Sequence, residues 1–136
     1  TVNHIMGRTA KMDYSAIPSA IFTDPEIATV GLSETQAKEQ GVDIEVGTFP
    51  FAGNGKALAY GNNRGFVKVI KEKGSGRIVG AAIIGLCATD LIAELTLAVQ
   101  NGLSAQQLAE TVHAHPTAAE AIHEAALDTS GMAIHV

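Results

Sequence analysis

Apolar and polar positions alternate with a period of two through much of the first half of the chain and recur at helical spacing through the second. "AIPSAIFT" (16–23) is apolar and β-prone, and "ATVGL" (28–32) follows the turn Asp24-Pro25-Glu26. Ser33 then caps a short helix. Its side chain can accept from the Gln36 N–H while Gln36 reaches back, a capping box, and Gly41 stops the helix. "IEVGTFPF" (44–51) alternates as a strand, and "GFVKVIKE" (65–72) alternates apolar with basic residues, which predicts one wet face. "GSG" (74–76) marks a hairpin turn into "RIVGAAIIGL" (77–86), apolar on both faces and expected to be a buried central strand.

Beyond it the period changes. Leu91, Ile92, Leu95, Ala98 and Val99 fall on one helical face, with Thr89 as the expected cap and Gly102 as the stop. "SAQQLAETV" (104–112) carries a second capping box, Ser104 with Gln107, and "TAAEAIHEAALD" (117–128) a third, Thr117 with Glu120. Strands first and helices later predict an α+β domain: an antiparallel β-sheet with helices packed on one face.

Composition narrows the function. The chain of 136 residues suits one domain, and 46% hydrophobic residues with a mean hydropathy of +0.19 can bury a core. The net charge is −5 and the nine basic residues are scattered, which argues against nucleic acid as a partner. A single cysteine, Cys87, excludes an internal disulfide and points to a cytoplasmic protein. "IVGAAIIGL" is too short for a bilayer, so no membrane partner is expected. "TVNHIMGRTAK" has no signal-peptide character and starts without Met, as would a piece of something longer.

Four stretches invite chemistry. "GNGKAL" (53–58) begins like a dinucleotide fingerprint, but Leu58 stands where a third glycine belongs, and a loop using Asn-Gly is expected instead. Cys87 follows a buried strand and reads as a small packing residue. His113, His115 and His123 could be imagined as metal ligands, yet no fourth ligand has sensible spacing, so no metal is expected. His4 and His135 lie near the termini and carry no signal. The fourth stretch, "HAHPTAAEA" (113–121), is the most specific. Pro116 stiffens the chain where His115 projects. A helix beginning near Thr117 turns Glu120 back toward the imidazole, where it can select one tautomer by accepting a ring N–H. An oriented imidazole with its other nitrogen free is what a general base requires, while a loop histidine beside a capping carboxylate is the plainer alternative.

At this motif the chain resembles the C-terminal interface domain of the dihydrolipoamide dehydrogenases, in the pyridine nucleotide–disulfide oxidoreductase family. "IPSAIFTDPEIATVGLSETQAKEQG" (17–41), "GFVKVIKEKGSGRIVGAAIIGLCATDLIAE" (65–94) and "HAHPTAAEAIHEAA" all carry the likeness, which runs from about residue 12 to 135. His113 before Ala-His-Pro-Thr is similar to the lipoamide branch rather than to glutathione reductase, and no C-terminal vicinal cysteines suggest mercuric reductase.

The resemblance implies that His115 is the acid–base residue for oxidation of dihydrolipoamide with NAD, held by Glu120. It implies that His113 lines the lipoamide channel and that the His115–Pro116 backbone meets the flavin of the other subunit. FAD and NAD would belong to the full enzyme, with neither bound by this piece alone. Residues 1–12 would be the tail of a preceding flavin domain and 13–136 the interface domain. No Cys-x4-Cys pair is present, so the piece is expected to be inactive by itself. A homodimer is implied, partnering a lipoyl-bearing 2-oxoacid dehydrogenase or glycine cleavage complex. The Ala-rich "TAAEAIHEAAL" would permit close approach at a two-fold axis. The alternatives are a dimerisation module of another flavin disulfide reductase such as glutathione reductase, a non-enzymatic assembly domain, and a small metal-binding protein.

Overall fold

The computed structural model describes residues 1–9 and 11–135. Five strands form one antiparallel sheet: β1 (Ser19–Ile21), β2 (Glu26–Gly31), β3 (Ile44–Pro50), β4 (Gly65–Glu72) and β5 (Ile78–Gly85), in the spatial order β1-β2-β5-β4-β3. Among the described residues six helices accompany them: α1 (Val2–Ile5), α2 (Glu34–Glu39), α3 (Gly55–Ala59), α4 (Ala88–Asn101), α5 (Ala105–Glu110) and α6 (Glu120–Asp128). The α+β class follows from these elements as the sequence predicts. α4 packs on β2 and β5, and α6 packs on β3 and β4.

The core lies between that layer of helices and one face of the sheet. Val67, Val69 and Ile83 are fully buried against Leu95, Ile122 and Ala125. β5 is central, with β2 on one side and β4 on the other. It is not buried on both faces, however. Ala81 and Ile83 are buried, while Ala82 and Ile84, on the opposite face, are half-buried. A continuous apolar run does not reveal that the long helices of the core lie over only one of its two faces.

Two capping boxes form as expected. Ser33 with Gln36 opens α2 and Ser104 with Gln107 opens α5. α4 ends at Gly102, whose φ of 62° supplies the left-handed stop. Its start differs from expectation. Cys87, at φ 54°, occupies the cap position, and Thr89 lies inside the first turn. Thr89 donates from its N–H (2.9 Å) and its hydroxyl (2.7 Å) to the Glu26 carboxylate on β2. A carboxylate from a neighbouring strand is a stronger acceptor for a helix start than a local hydroxyl, and it sets where the helix begins.

α6 lies unusually close to the sheet. A Cβ built on Gly47 of β3 would stand 2.1 Å from the Ala125 carbonyl oxygen and 2.4 Å from the Thr129 nitrogen, so only glycine fits there. Asp128 reinforces the contact, accepting from the Thr48 N–H at 2.7 Å. With Ala121, Ile122 and Ala125 fully buried, the helix that carries Glu120 and Glu124 is fixed to the sheet as one body.

Candidate active site

Residues 111–119 form an irregular segment leading into α6. His113 and His115 leave it in opposite directions. The His113 side chain is 8% exposed and the His115 side chain 79%. His115 Nδ1 lies 2.8 Å from Glu120 Oε1. An ionised carboxylate only accepts, so Nδ1 donates to it, and Nε2 has no hydrogen-bond partner among the described residues. Glu120 Oε2 takes the Thr117 N–H at 2.7 Å. Both carboxylate oxygens are therefore engaged, and the imidazole is held by a group that is itself held. Burial pushes the Glu120 carboxyl up, but the Thr117 N–H and the His115 ring outweigh it and hold it below its ordinary value. The His115–Pro116 peptide is cis, as is Asp24–Pro25.

The third capping box forms only in part. α6 begins at Glu120, with Ala119 in the cap position. The Thr117 hydroxyl donates to the Ala114 carbonyl at 2.7 Å instead of accepting from the helix. Only the Glu120 half of the expected exchange is present. The hydroxyl tightens the turn that presents His115, and the carboxylate is freed to bind the ring.

His113 is saturated. Nδ1 is 2.9 Å from the Thr111 carbonyl oxygen and Nε2 is 2.8 Å from Glu94 Oε1 on α4. Its ring lies 5.6 Å, centroid to centroid, from that of His123, whose Nε2 is 2.9 Å from the Ala109 carbonyl oxygen. The three histidines therefore do not converge on a common point, and among the described residues no group of three or more His, Cys, Asp or Glu could hold a metal ion.

A cavity of about 330 Å³ opens beside His115 and Glu120, with Phe49, Asn54, Ile134 and His135 on its other walls. Two of these residues were invisible to sequence reasoning. The expected loop at 53–58 is a 3-10 turn (Phe51–Gly53) followed by α3. Asn54, 3% exposed, caps α3 through the Ala57 N–H and also donates to the Thr117 carbonyl oxygen at 3.0 Å. Asparagine at the start of a short helix-forming stretch does signal a cap, but its second bond spans 63 residues. His135 pairs through Nδ1 with the buried Glu124, which also takes the Ile134 N–H at 2.8 Å. Burial raises the Glu124 carboxyl and these bonds overcome it, for a net depression. Two glutamates one turn apart on α6 thus each hold an imidazole on the same cavity.

Cys87 is exposed rather than packed. Burial, Glu26 and Asp90 push its thiol up, away from thiolate character.

The described residues thus combine an antiparallel sheet packed by helices with a carboxylate-held imidazole on the domain surface. Residues 17–126 match the family model described as "Pyridine nucleotide-disulphide oxidoreductase, dimerisation domain", and the chain belongs to that family. It is 47% identical over 132 residues to a dihydrolipoyl dehydrogenase of Bacillus subtilis, and 50% identical over 131 residues to one of Halobacterium salinarum. These alignments cover 97% and 96% of the chain, which spans 28% of the length of each relative. Among solved structures it is similar to LpdA of Mycobacterium tuberculosis (TM-score 0.84, 28% identity, 91% of this chain and 27% of that one). It is similar also to the HOCl-induced flavoprotein disulfide reductase RclA of Escherichia coli (TM-score 0.82, 26% identity, 92% of this chain and 29% of that one).

Proposed function

We propose that this chain is the interface domain of a dihydrolipoamide dehydrogenase and that His115, positioned by Glu120, is its acid–base residue. The observation that carries the proposal is the engagement of both Glu120 oxygens, one by the Thr117 N–H and one by His115 Nδ1, with Nε2 left free and exposed. The likeness to dihydrolipoyl dehydrogenases at 47–50% identity supports the choice of reaction.

In the proposed reaction His115 Nε2 accepts the S–H proton of dihydrolipoamide. The resulting thiolate attacks one sulfur of an enzyme disulfide, the S–S bond breaks, and the displaced sulfur leaves as a thiolate. Glu120 stabilises the imidazolium formed in that step and keeps Nδ1 as its donor. The substrate's second thiol then attacks its own sulfur of the mixed disulfide, its proton going to the first displaced enzyme sulfur; the substrate disulfide closes, the other enzyme sulfur is released and takes the proton from His115 Nε2, and the enzyme is left as a dithiol. The chain has one cysteine, so the disulfide belongs to another part of the enzyme.

FAD, when bound, supplies the electron sink between that dithiol and NAD. The residues this chain would offer it are His115 and Pro116. Both lie on the exposed side of the segment, which fits a group presented by another subunit rather than one enclosed here. We assign residues 1–12 to the end of a flavin domain and 13–136 to the interface domain of a cytoplasmic homodimer serving a 2-oxoacid dehydrogenase or glycine cleavage complex. No helix among the described residues is long and apolar enough to cross a membrane. His113, with both nitrogens occupied, would contribute to the lipoamide channel by holding its wall.

The deciding experiment separates the two half-reactions of the intact enzyme. His115→Gln is expected to slow flavin reduction by dihydrolipoamide and leave flavin reduction by NADH nearly unchanged. Equal slowing of both would refute an acid–base role.

A further inference from the structure

We propose that Asn54 is a positioning residue for the His115–Glu120 pair, acting through the Thr117 backbone; this rests on the reading of His115 given above. The chain of bonds is continuous. Asn54 Nδ2 donates to the Thr117 carbonyl oxygen at 3.0 Å, the Thr117 N–H donates to Glu120 Oε2 at 2.7 Å, and Glu120 Oε1 meets His115 Nδ1 at 2.8 Å. Every contact in it has an unambiguous direction. Asn54 Oδ1 faces the Ala57 N–H at 2.9 Å and so must accept, which forces Nδ2 toward the carbonyl, where it must donate. Asn54 is 3% exposed, so water does not compete freely for either bond.

The residue type follows from this double duty. Aspartate could cap α3 but would set a negative oxygen against the Thr117 carbonyl. Serine caps well but has a shorter reach, and leucine can do neither. The neighbourhood is shaped to hold Asn54 in place. A Cβ on Gly53 would stand 2.8 Å from the Phe49 ring and 2.9 Å from the His135 carbonyl oxygen, so the backbone must run close between them. Asn54, buried within the β3–β4 connection, thus anchors the Thr117 backbone between His115 and Glu120. The Thr117 carbonyl and N–H belong to the two peptides that flank its Cα; without the Nδ2 bond the Thr117–Ala118 peptide loses its anchor, the Thr117 backbone can shift, and Glu120 Oε2 loses the fixed donor that keeps Oε1 aimed at Nδ1.

The test uses the intact oxidoreductase carrying Asn54→Asp and Asn54→Ser, both of which keep an acceptor for the Ala57 N–H. Dihydrolipoamide-driven flavin reduction is expected to fall roughly tenfold or more, the loss typical of a misaimed reacting group, while NADH-driven reduction is unchanged. In the Glu120→Gln background the same substitutions are expected to add little, because the route they act through is already broken. Nitrogen-15 shifts of His115 are expected to report mixed tautomers in the Asn54 variants and a single Nδ1–H tautomer in the parent. Additive losses in the Glu120→Gln background, equal losses in both half-reactions, or failure of both variants to fold would make Asn54 a structural cap and overturn the proposal. A silent Asn54→Asp beside a slow His115→Gln would overturn it alone. A silent His115→Gln would instead remove the functional reading beneath it.

Discussion

His113 and His115 are two residues apart, each beside a carboxylate at 2.8 Å, yet they occupy opposite environments. His113 points inward, 8% exposed, with a carbonyl on one nitrogen and Glu94 on the other. His115 points outward, 79% exposed, with one nitrogen held and one open. An imidazole with both nitrogens occupied braces the segment to α4, whereas one with a single occupied nitrogen is aimed and still able to take a proton. The identity of the residue, and even the presence of a glutamate partner, does not separate structure from chemistry here. The count of unengaged nitrogens does.

That contrast can be broken at either residue. The largest effect is expected at the open one: His115→Gln should slow dithiol-driven turnover of the intact enzyme by about 10²–10⁴-fold, measured by stopped-flow flavin absorbance. Ile122→Ala, which removes a fully buried side chain from the helix carrying Glu120, should cost about 2–5 kcal/mol of stability in denaturant titration. Glu120→Gln should slow the dithiol half-reaction by less than His115→Gln does, since an amide oxygen can still accept from Nδ1. A loss as large as that of His115→Gln would move the chemistry onto the carboxylate. Glu94→Gln should leave that half-reaction within roughly tenfold of the parent while lowering stability by about 1–3 kcal/mol, because a part-buried hydrogen bond to an ion is weakened. A greater catalytic than stability cost at Glu94 would erase the distinction between the two histidines.

The smallest expected effect is on the dependence of stability on pH. Glu120 and Glu124 both have folded-state pKa values below their ordinary 4.5. The stability they confer is therefore fully present above that value and is lost as pH falls through their depressed folded values. Denaturant titrations from pH 7 down to pH 3 should show stability declining in the acid range, and Glu124→Gln should flatten that decline. A steeper decline in the variant would contradict the assignment.

Much of the fold was legible because its causes are local. Ser33 with Gln36 and Ser104 with Gln107 cap their helices with residues three positions away, and the left-handed stop at Gly102 needs only that residue. The alternation at 65–72 correctly placed Val67 and Val69 inward. One expectation failed where a distant group outbid a local one. Glu26 displaced Thr89 from the start of α4; the loop expected at 53–58 failed for a different reason, because Asn54 caps α3 through the Ala57 N–H only three residues on.

The site divides along the same line. His115, Pro116 and Glu120 sit within six consecutive residues, and short-range helix geometry is enough to bring the carboxylate to the ring. The sequence by itself therefore determined the α+β class and the acid–base candidate pair. Tertiary structure alone decided that His113 faces Glu94, that His135 closes on Glu124, and that Asn54 grips Thr117. These contacts join elements brought together only when α4, α6 and the segment after β3 dock on one sheet. No pattern along the chain encodes such docking pair by pair, because burial of apolar faces drives it without regard to which polar groups it brings into reach.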